Sequence, residues 1–323
     1  MSSTIIARAP TRLDFGGGWT DVPPYVDREG GAVCNIAIAR YATATVTSGD
    51  RSTLATHGGD RLVTAAIRRA SLPHAAVTLV SDFPVGAGLG GSSAAGVAIA
   101  GALAIARGAP LLPHALAALS RATEIEDLGI PGGYQDHYAA SFGGALLLTL
   151  GEGHVDVDRI PLDAKLRDAL ARRLVVVYTG DSRISGETIT AVRDAYLAGE
   201  SRTLNALSRM KALAHEMAAA LRGGDVDTLG ELIAEHWMYQ RTLHPAIPTA
   251  RIDAIIALAA ESGAAGAKAL GASGGGCVLA IARDGREEEL ARALGTLGEP
   301  LPFTIDTSGF TVISRSIEGA GAT

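Results

Sequence analysis

The chain has 323 residues, 47% of them hydrophobic but only 4% aromatic, and a formal net charge of −6. That sign of charge excludes nucleic acid and anionic membrane as the main electrostatic partners. The length supports one large or two medium domains, with cores built mainly from Ala, Val, Leu and Ile.

Two cysteines occur, Cys34 and Cys277, each inside an apolar run and without a C-x-x-C partner. This argues against a disulfide framework or a cysteine zinc site. The histidines show no H-x-x-x-H or H-E-x-x-H spacing, so no zinc is expected. The N-terminal segment lacks a basic region followed by a long apolar stretch, and the longest apolar run, Ala94 to Ala106, is too short for a bilayer. The chain reads as a cytoplasmic protein, a monomer or homodimer, without membrane contact.

In chain order, "TIIARAP" predicts a first strand ending at Pro10, and "AVCNIAIARYATATVTS" predicts one or two more from its β-branched, partly alternating pattern. "AAVTLVSD" predicts a strand that leads into "PVGAGLGGSSAAGVAIAGALAIA", a Gly/Ser loop followed by a helix. "LPHALAALSRATEIEDLG" predicts a second helix, and "GGALLLTLG" with "HVDVDRIPL" a strand pair. "RLVVVYTGD" reads as a buried strand, followed by helices over 188–199, 202–222, 225–240 and 249–262. "AGAKALGASGGGCVLAIA" reads as loop, glycine turn and buried strand, and a helix near 286–295 and the strand "GFTVIS" close the chain. Strands and helices mix in both halves, which gives an α+β or α/β class in two lobes divided at residues 1–172 and 173–323.

The Gly/Ser stretch admits three readings. Gly86, Gly88 and Gly91 fit G-x-G-x-x-G, but a dinucleotide turn needs an acidic residue about 20 positions on, and "APLLPHALAAL" offers none. A phosphate cradle fits better, because a glycine loop and a helix N-terminus both aim N–H groups at an anion. Ser92 and Ser93 then stand in the first helical turn, where hydroxyls can meet phosphate or Mg²⁺. No Walker string or nearby lysine accompanies them. A capped turn before a buried helix explains this stretch alone equally well.

Three other stretches add chemistry. "APTRLDFGGGWTDVPPY" places Arg12, two aspartates, Gly16 to Gly18 and Trp19 together. Its glycines permit close backbone approach, Asp21 suits sugar hydroxyls, and Trp19 suits a sugar ring face. "TEIEDLGIPGGYQDHYAASFGG" carries Glu124, the Gly132–Gly133 loop and Asp136. Carboxylates beside a polyphosphate bind Mg²⁺ or handle the proton of an attacking hydroxyl. "GAKALGASGGGC" supplies another glycine loop, Gly271 and Gly274 to Gly276.

In this order the three glycine motifs resemble those of the GHMP kinases, over nearly the whole chain from Arg8 to about Ser314. "GGGWTDVPPYVDREGGAV", "LGIPGGYQDHYAASFGG" and "VVVYTGDSRISG" are similar to the sugar 1-kinases, namely heptose 7-phosphate kinases and the kinase part of fucokinases. The resemblance implies an α+β fold of two lobes, the first like domain 2 of ribosomal protein S5 and the second ferredoxin-like, with the site between them. It implies Asp136 as catalytic aspartate, assisted by Arg12. Gly86, Gly88, Gly90, Gly91, Ser92 and Ser93 would hold ATP phosphates, and Ser92, Ser93 and Glu124 would hold Mg²⁺. Gly17, Gly18, Trp19, Thr20, Asp21, Gly132, Gly133, Asp136, Gly274 and Gly275 would meet the sugar. Arg28, Arg40, Lys268 and above all Arg183 are candidates for a phosphate already on the substrate. The implied activity is ATP-dependent phosphorylation of the anomeric hydroxyl of a hexose or heptose, heptose 7-phosphate included. The alternatives are a fucokinase-like enzyme, a GHMP kinase for another small alcohol, and a non-catalytic sugar sensor.

Overall fold

A computed structural model describes residues 2–48, 60–181 and 186–318. The first lobe contains β1 (Ser2–Gly16), α1 (Tyr25–Glu29), β2 (Gly31–Ser48), α2 (Arg61–Ala70), β3 (Ala76–Ser81), α3 (Gly91–Ala106), α4 (Pro113–Ala122), α5 (Gln135–Phe142), β4 (Ala145–Gly151), β5 (His154–Ile160) and α6 (Ala164–Arg173). The second contains β6 (Leu174–Tyr178), α7 (Gly186–Leu197), α8 (Ser201–Arg222), α9 (Val226–Gln240), α10 (Ala250–Glu261), β7 (Ala264–Ala269), β8 (Cys277–Ala282), α11 (Glu287–Leu294) and β9 (Glu299–Pro300). The last strand, β10 (Thr311–Glu318), leaves that lobe and pairs with β1. The division at 172/173 therefore falls where α6 hands over to β6, but the chain's last strand belongs to the first sheet.

That first sheet is six-stranded and antiparallel, in the order β10-β1-β2-β4-β5 with β3 also on β2. β1 does not end at Pro10. A register shift between Pro10 and Thr11 absorbs the missing N–H donor and lets the strand run on to Gly16. This carries Arg12 and Asp14 to the mouth of the glycine turn.

α3 is apolar on nearly every side and is buried over most of its length against β1 and β2, with Ile5, Ala7, Ala42 and Val97 in one cluster. A helix buried all round is held by packing rather than by an amphipathic face. Its N-terminus is thereby fixed relative to the sheet.

The second lobe forms the sheet β7-β8-β6-β9. With chain order β6, helices, β7, β8, α11, β9, it has the βαββαβ ferredoxin-like pattern. "AGAKALG", expected as loop, is β7 instead. Its alanines and glycines give no β-branched signal, but small residues are what the packing demands: a Cβ on Gly266 would sit 1.8 Å from the Gly230 carbonyl oxygen of α9. Among the described residues, no helix is long and apolar enough to cross a membrane.

Candidate active site

The glycine turn after β1, the start of α3 and the start of α5 come together at Asp136. Arg12 donates from Nε to Asp136 Oδ1 at 2.8 Å, with Nη2 at 2.6 Å from the same oxygen. Its Nη1 donates to the Gly88 carbonyl at 2.7 Å, and its backbone N–H to Leu89 O at 3.0 Å. Arg12 thus ties the aspartate to the Gly/Ser loop. Asp136 lies against Gly90, where a Cβ would sit 3.0 Å from the carboxyl carbon. Gly90 also has φ +74°, a left-handed conformation that L side chains rarely adopt.

Gly90 is the N-cap of α3, and no side chain caps the helix. Helix geometry leaves the first-turn N–H groups without intrahelical partners, and with the macrodipole they favour an anion. Around this end, Ser92 Oγ donates to Glu124 Oε1 at 2.7 Å and Ser93 Oγ to Oε2 at 3.1 Å. Glu124 sits in a single π-helical turn, Thr123–Asp127, that continues α4. Such turns re-aim a side chain within a helix. His137 Nε2 is 3.2 Å from Glu124 Oε2, and its Nδ1 is 3.0 Å from Ser120 Oγ. Burial pushes the Glu124 carboxyl up, but His137, Ser92 and Ser93 outweigh it and hold the group below its ordinary range. Sequence reasoning placed Ser92, Ser93 and Glu124 but missed His137 and Ser120, whose only signal is the adjacency of His137 to Asp136.

The other N-terminus, that of α5, is filled. Asp21 Oδ2 accepts the backbone N–H groups of Tyr134 at 2.8 Å and Gln135 at 2.9 Å. Asp21 is buried, and burial is the main reason its pKa rises to about 6; the neighbouring Asp136 and Asp14 charges add to it, and the two N–H bonds oppose it. In this arrangement its carboxylate holds the helix that carries Asp136. Gly133 packs onto that carboxylate, and Gly132 lies beside it at the partly exposed edge.

The glycine turn itself is buried. Gly17 has φ +87°, and a Cβ there would sit 1.9 Å from Ala32 O. Its N–H donates to His236 Nε2 of α9 at 3.0 Å. Thr20, expected to meet sugar, is fully buried; its hydroxyl lies 2.7 Å from Gly17 O and accepts from Ala32 N–H at 3.1 Å, so it fastens the turn. Trp19, expected as a sugar platform, is 8% exposed and packs with Tyr25, Val192, Tyr196 and Leu207. Its ring packs between the lobes, at the edge of a small cavity lined also by Pro23, Ile189 and Tyr196.

The third glycine loop closes onto the Gly/Ser loop. Cys277 N–H donates to Ala87 O at 2.8 Å, and a Cβ on Gly88 would sit 2.7 Å from Leu270 O. Gly274 is fixed by its N–H to Ile247 O at 2.9 Å, and Gly275 lies against the Asp181 carbonyl. Gly86 is exposed at the outer edge of the loop.

The cations nominated for a substrate phosphate fare differently. Lys268 is fully buried, with Nζ 3.3 Å from Asp14 Oδ2, so it is not available to a ligand. Arg40 donates to the Pro302 and Asp82 carbonyls. Arg28 lies over the Tyr196 ring at 5.9 Å. Arg183 lies outside the described residues.

The profile of the GHMP kinases N terminal domain matches residues 61–144, and that of the GHMP kinases C terminal domain matches residues 217–299. A galactokinase from Mycobacterium bovis is 30% identical over 284 residues, which cover 78% of this chain and 75% of that one. The chain belongs to the GHMP kinases. Among other relatives of this GHMP kinase, D-glycero-alpha-D-manno-heptose 7-phosphate kinase from Campylobacter jejuni is 28% identical over 318 residues, 90% of this chain and 93% of that one. The crystal structure of a D-glycero-D-manno-heptose 1-phosphate kinase from Bacteroides thetaiotaomicron superposes with a TM-score of 0.76 at 27% identity, covering 97% of this chain and 99% of that one.

Proposed function

We propose that this GHMP kinase transfers the γ-phosphate of ATP to the anomeric hydroxyl of a hexose or heptose, giving a sugar 1-phosphate. The observation that carries the reading is the Arg12–Asp136 pair set against the uncapped N-terminus of α3. A sensor would need neither member of that pair. The sugar kinases among the relatives support the choice of acceptor.

The residues at α3 suit Mg²⁺ shared with a nucleotide. Glu124 offers one carboxylate and Ser92 and Ser93 offer hydroxyls. Among the described residues, no group of three His, Cys, Asp or Glu side chains could hold a metal. Mg²⁺ habitually takes one or two carboxylates and completes its shell with phosphate oxygens and water. Held by Glu124, Ser92 and Ser93, it would supply positive charge that offsets the phosphate oxygens. The first-turn N–H groups of α3 would hold the triphosphate. Asp136 would take the proton of the sugar O1 or orient it. Arg12 would keep Asp136 ionised and offset charge on the transferring group. Asp21 would hold Asp136 in place through α5, and the Gly132–Gly133 edge would receive the sugar.

A fucokinase-like reading, with a sugar that carries no phosphate, is favoured by one observation: Lys268, nominated for a substrate phosphate, is committed to Asp14. Incubation with ATP, Mg²⁺ and a panel of free and phosphorylated hexoses and heptoses, followed by phosphorus NMR, tests both readings. The expected result is ADP together with one anomeric phosphate resonance. ADP without a sugar phosphate, or phosphate on another hydroxyl, contradicts the proposal.

A further inference from the structure

The glycine turn after β1 is gripped from the second lobe at two points. Lys268 on β7 places Nζ 3.3 Å from Asp14 Oδ2 and donates to the Phe15 carbonyl at 3.2 Å. His236 on α9 accepts the Gly17 N–H at 3.0 Å. Both side chains are fully buried. Asp14 is buried too, and the same Oδ2 packs under the turn: a Cβ on Gly18 would sit 2.3 Å from it.

A buried ion pair is poor value as a source of stability, because desolvation of both charges offsets most of their attraction. Here it is also incompletely satisfied. Asp14 Oδ1 has no partner, nor has either side-chain polar atom of Asn35, which faces Asp14 across the strand pair. His236 accepts on Nε2, so a neutral ring carries its proton on Nδ1, which is also unpartnered. Burial pushes the His236 pKa down, consistent with the neutral ring. An apolar core would fill this space at lower cost, yet the polar atoms all converge on one turn. The Lys268 and His236 contacts reach the segment Asp14 to Gly18, whereas Leu270 and Cys277 of the same lobe meet the Gly/Ser loop.

We propose that Lys268 and Asp14 are positioning residues for the acceptor sugar: their buried pair, with His236, makes the place of the Gly16–Gly18 turn depend on the second lobe, and with it Asp21, which follows the turn and packs on Gly133 at the edge that would receive the sugar. The proposal rests on the sugar-kinase reading. It adds that different residues of the second lobe serve the two sites, Lys268 and His236 the turn, and Leu270 and Cys277 the Gly/Ser loop.

The test uses the full chain and an acceptor that the wild-type protein phosphorylates. If it phosphorylates no sugar, the sugar-kinase reading fails and this proposal with it; the outcomes below apply once an acceptor is in hand. Lys268→Met keeps the stem and removes the charge, while Lys268→Met with Asp14→Asn leaves no lone buried charge if the single variant does not fold. Both are expected to raise KM for the sugar at least tenfold, with KM for ATP within about twofold and kcat reduced less than the sugar KM is raised. Equal rises in the two KM values, an unchanged sugar KM, or full recovery of the sugar KM in the double variant overturns the proposal. Recovery would mean that the pair serves only to avoid an uncompensated charge.

Discussion

Helices α3 and α5 begin beside the same Arg12–Asp136 pair, yet Asp21 fills the N-terminus of α5 while no side chain fills that of α3. Elsewhere α2, α6, α9 and α10 are capped by their own Asp60, Asp163, Asp225 and Thr249. A missing cap has no meaning by itself, since α4 and α8 also lack one. What distinguishes α3 is its surroundings: a left-handed Gly90 that leaves room for Asp136, and Ser92, Ser93 and Glu124 joined beside the opening. The contrast separates two uses of one device. At α5 a protein carboxylate occupies the N–H groups and fixes the helix that carries Asp136, the proposed catalytic side chain. At α3, on the proposed reading, the same groups are left for the phosphates of a bound nucleotide.

The largest effect expected from breaking this arrangement is at Asp136. Asp136→Ala should lower kcat by about 10²–10⁴ with the fold retained, read by steady-state kinetics alongside circular dichroism. A folded variant with unchanged turnover would remove α5 from the mechanism.

A smaller effect separates the filled end from the open one. Asp21 has its pKa raised from an ordinary 3.8 to about 6, so it gains a proton as pH falls through about 6 and its hold on the Tyr134 and Gln135 N–H groups weakens. Turnover should fall on that acid limb, and Asp21→Asn, which keeps a carbonyl acceptor but cannot titrate, should flatten it. Stability moves the other way. Because the folded pKa is the higher one, the native state binds the proton more tightly than the unfolded chain. The contribution is fully present below about 3.8 and is lost as pH rises through about 6. Acidification from pH 7 to 5 should therefore stabilise wild type relative to Asp21→Asn, by about 1 kcal/mol, measured by chemical denaturation at both pH values. An acid limb that survives in Asp21→Asn, or a stability difference of the opposite sign, would assign another role to Asp21.

Much of this was legible in the sequence because it rests on local pattern. The α3 glycines and serines, the strand β2 and the long helices α8 and α9 are each specified by neighbours in the chain. Asp136, Arg12, Ser92, Ser93 and Glu124 were nominated from motif order, and the fold brings all of them to one place. What was not legible depends on distance. Thr20, Trp19 and Lys268 have the residue types of a binding site, but tertiary packing turns them inward. His137 on α5 meets Glu124 on the π-helical turn, and Ser120 on α4 meets His137, only through the packing of these elements. β7 reads as loop because its small residues answer to α9, not to strand propensity. The short helices α1 and α5 carry too few residues for a periodic signal.

The central claim is that the start of α3 is the phosphate site and the start of α5 is not. Backbone amide NMR of the labelled protein, titrated with ATP and Mg²⁺, tests it directly. The account predicts large shifts and slowed exchange at the N–H groups of Gly91, Ser92 and Ser93, with those of Tyr134 and Gln135 still held by Asp21. Unmoved α3 amides, or the main response at Tyr134 and Gln135, would contradict it.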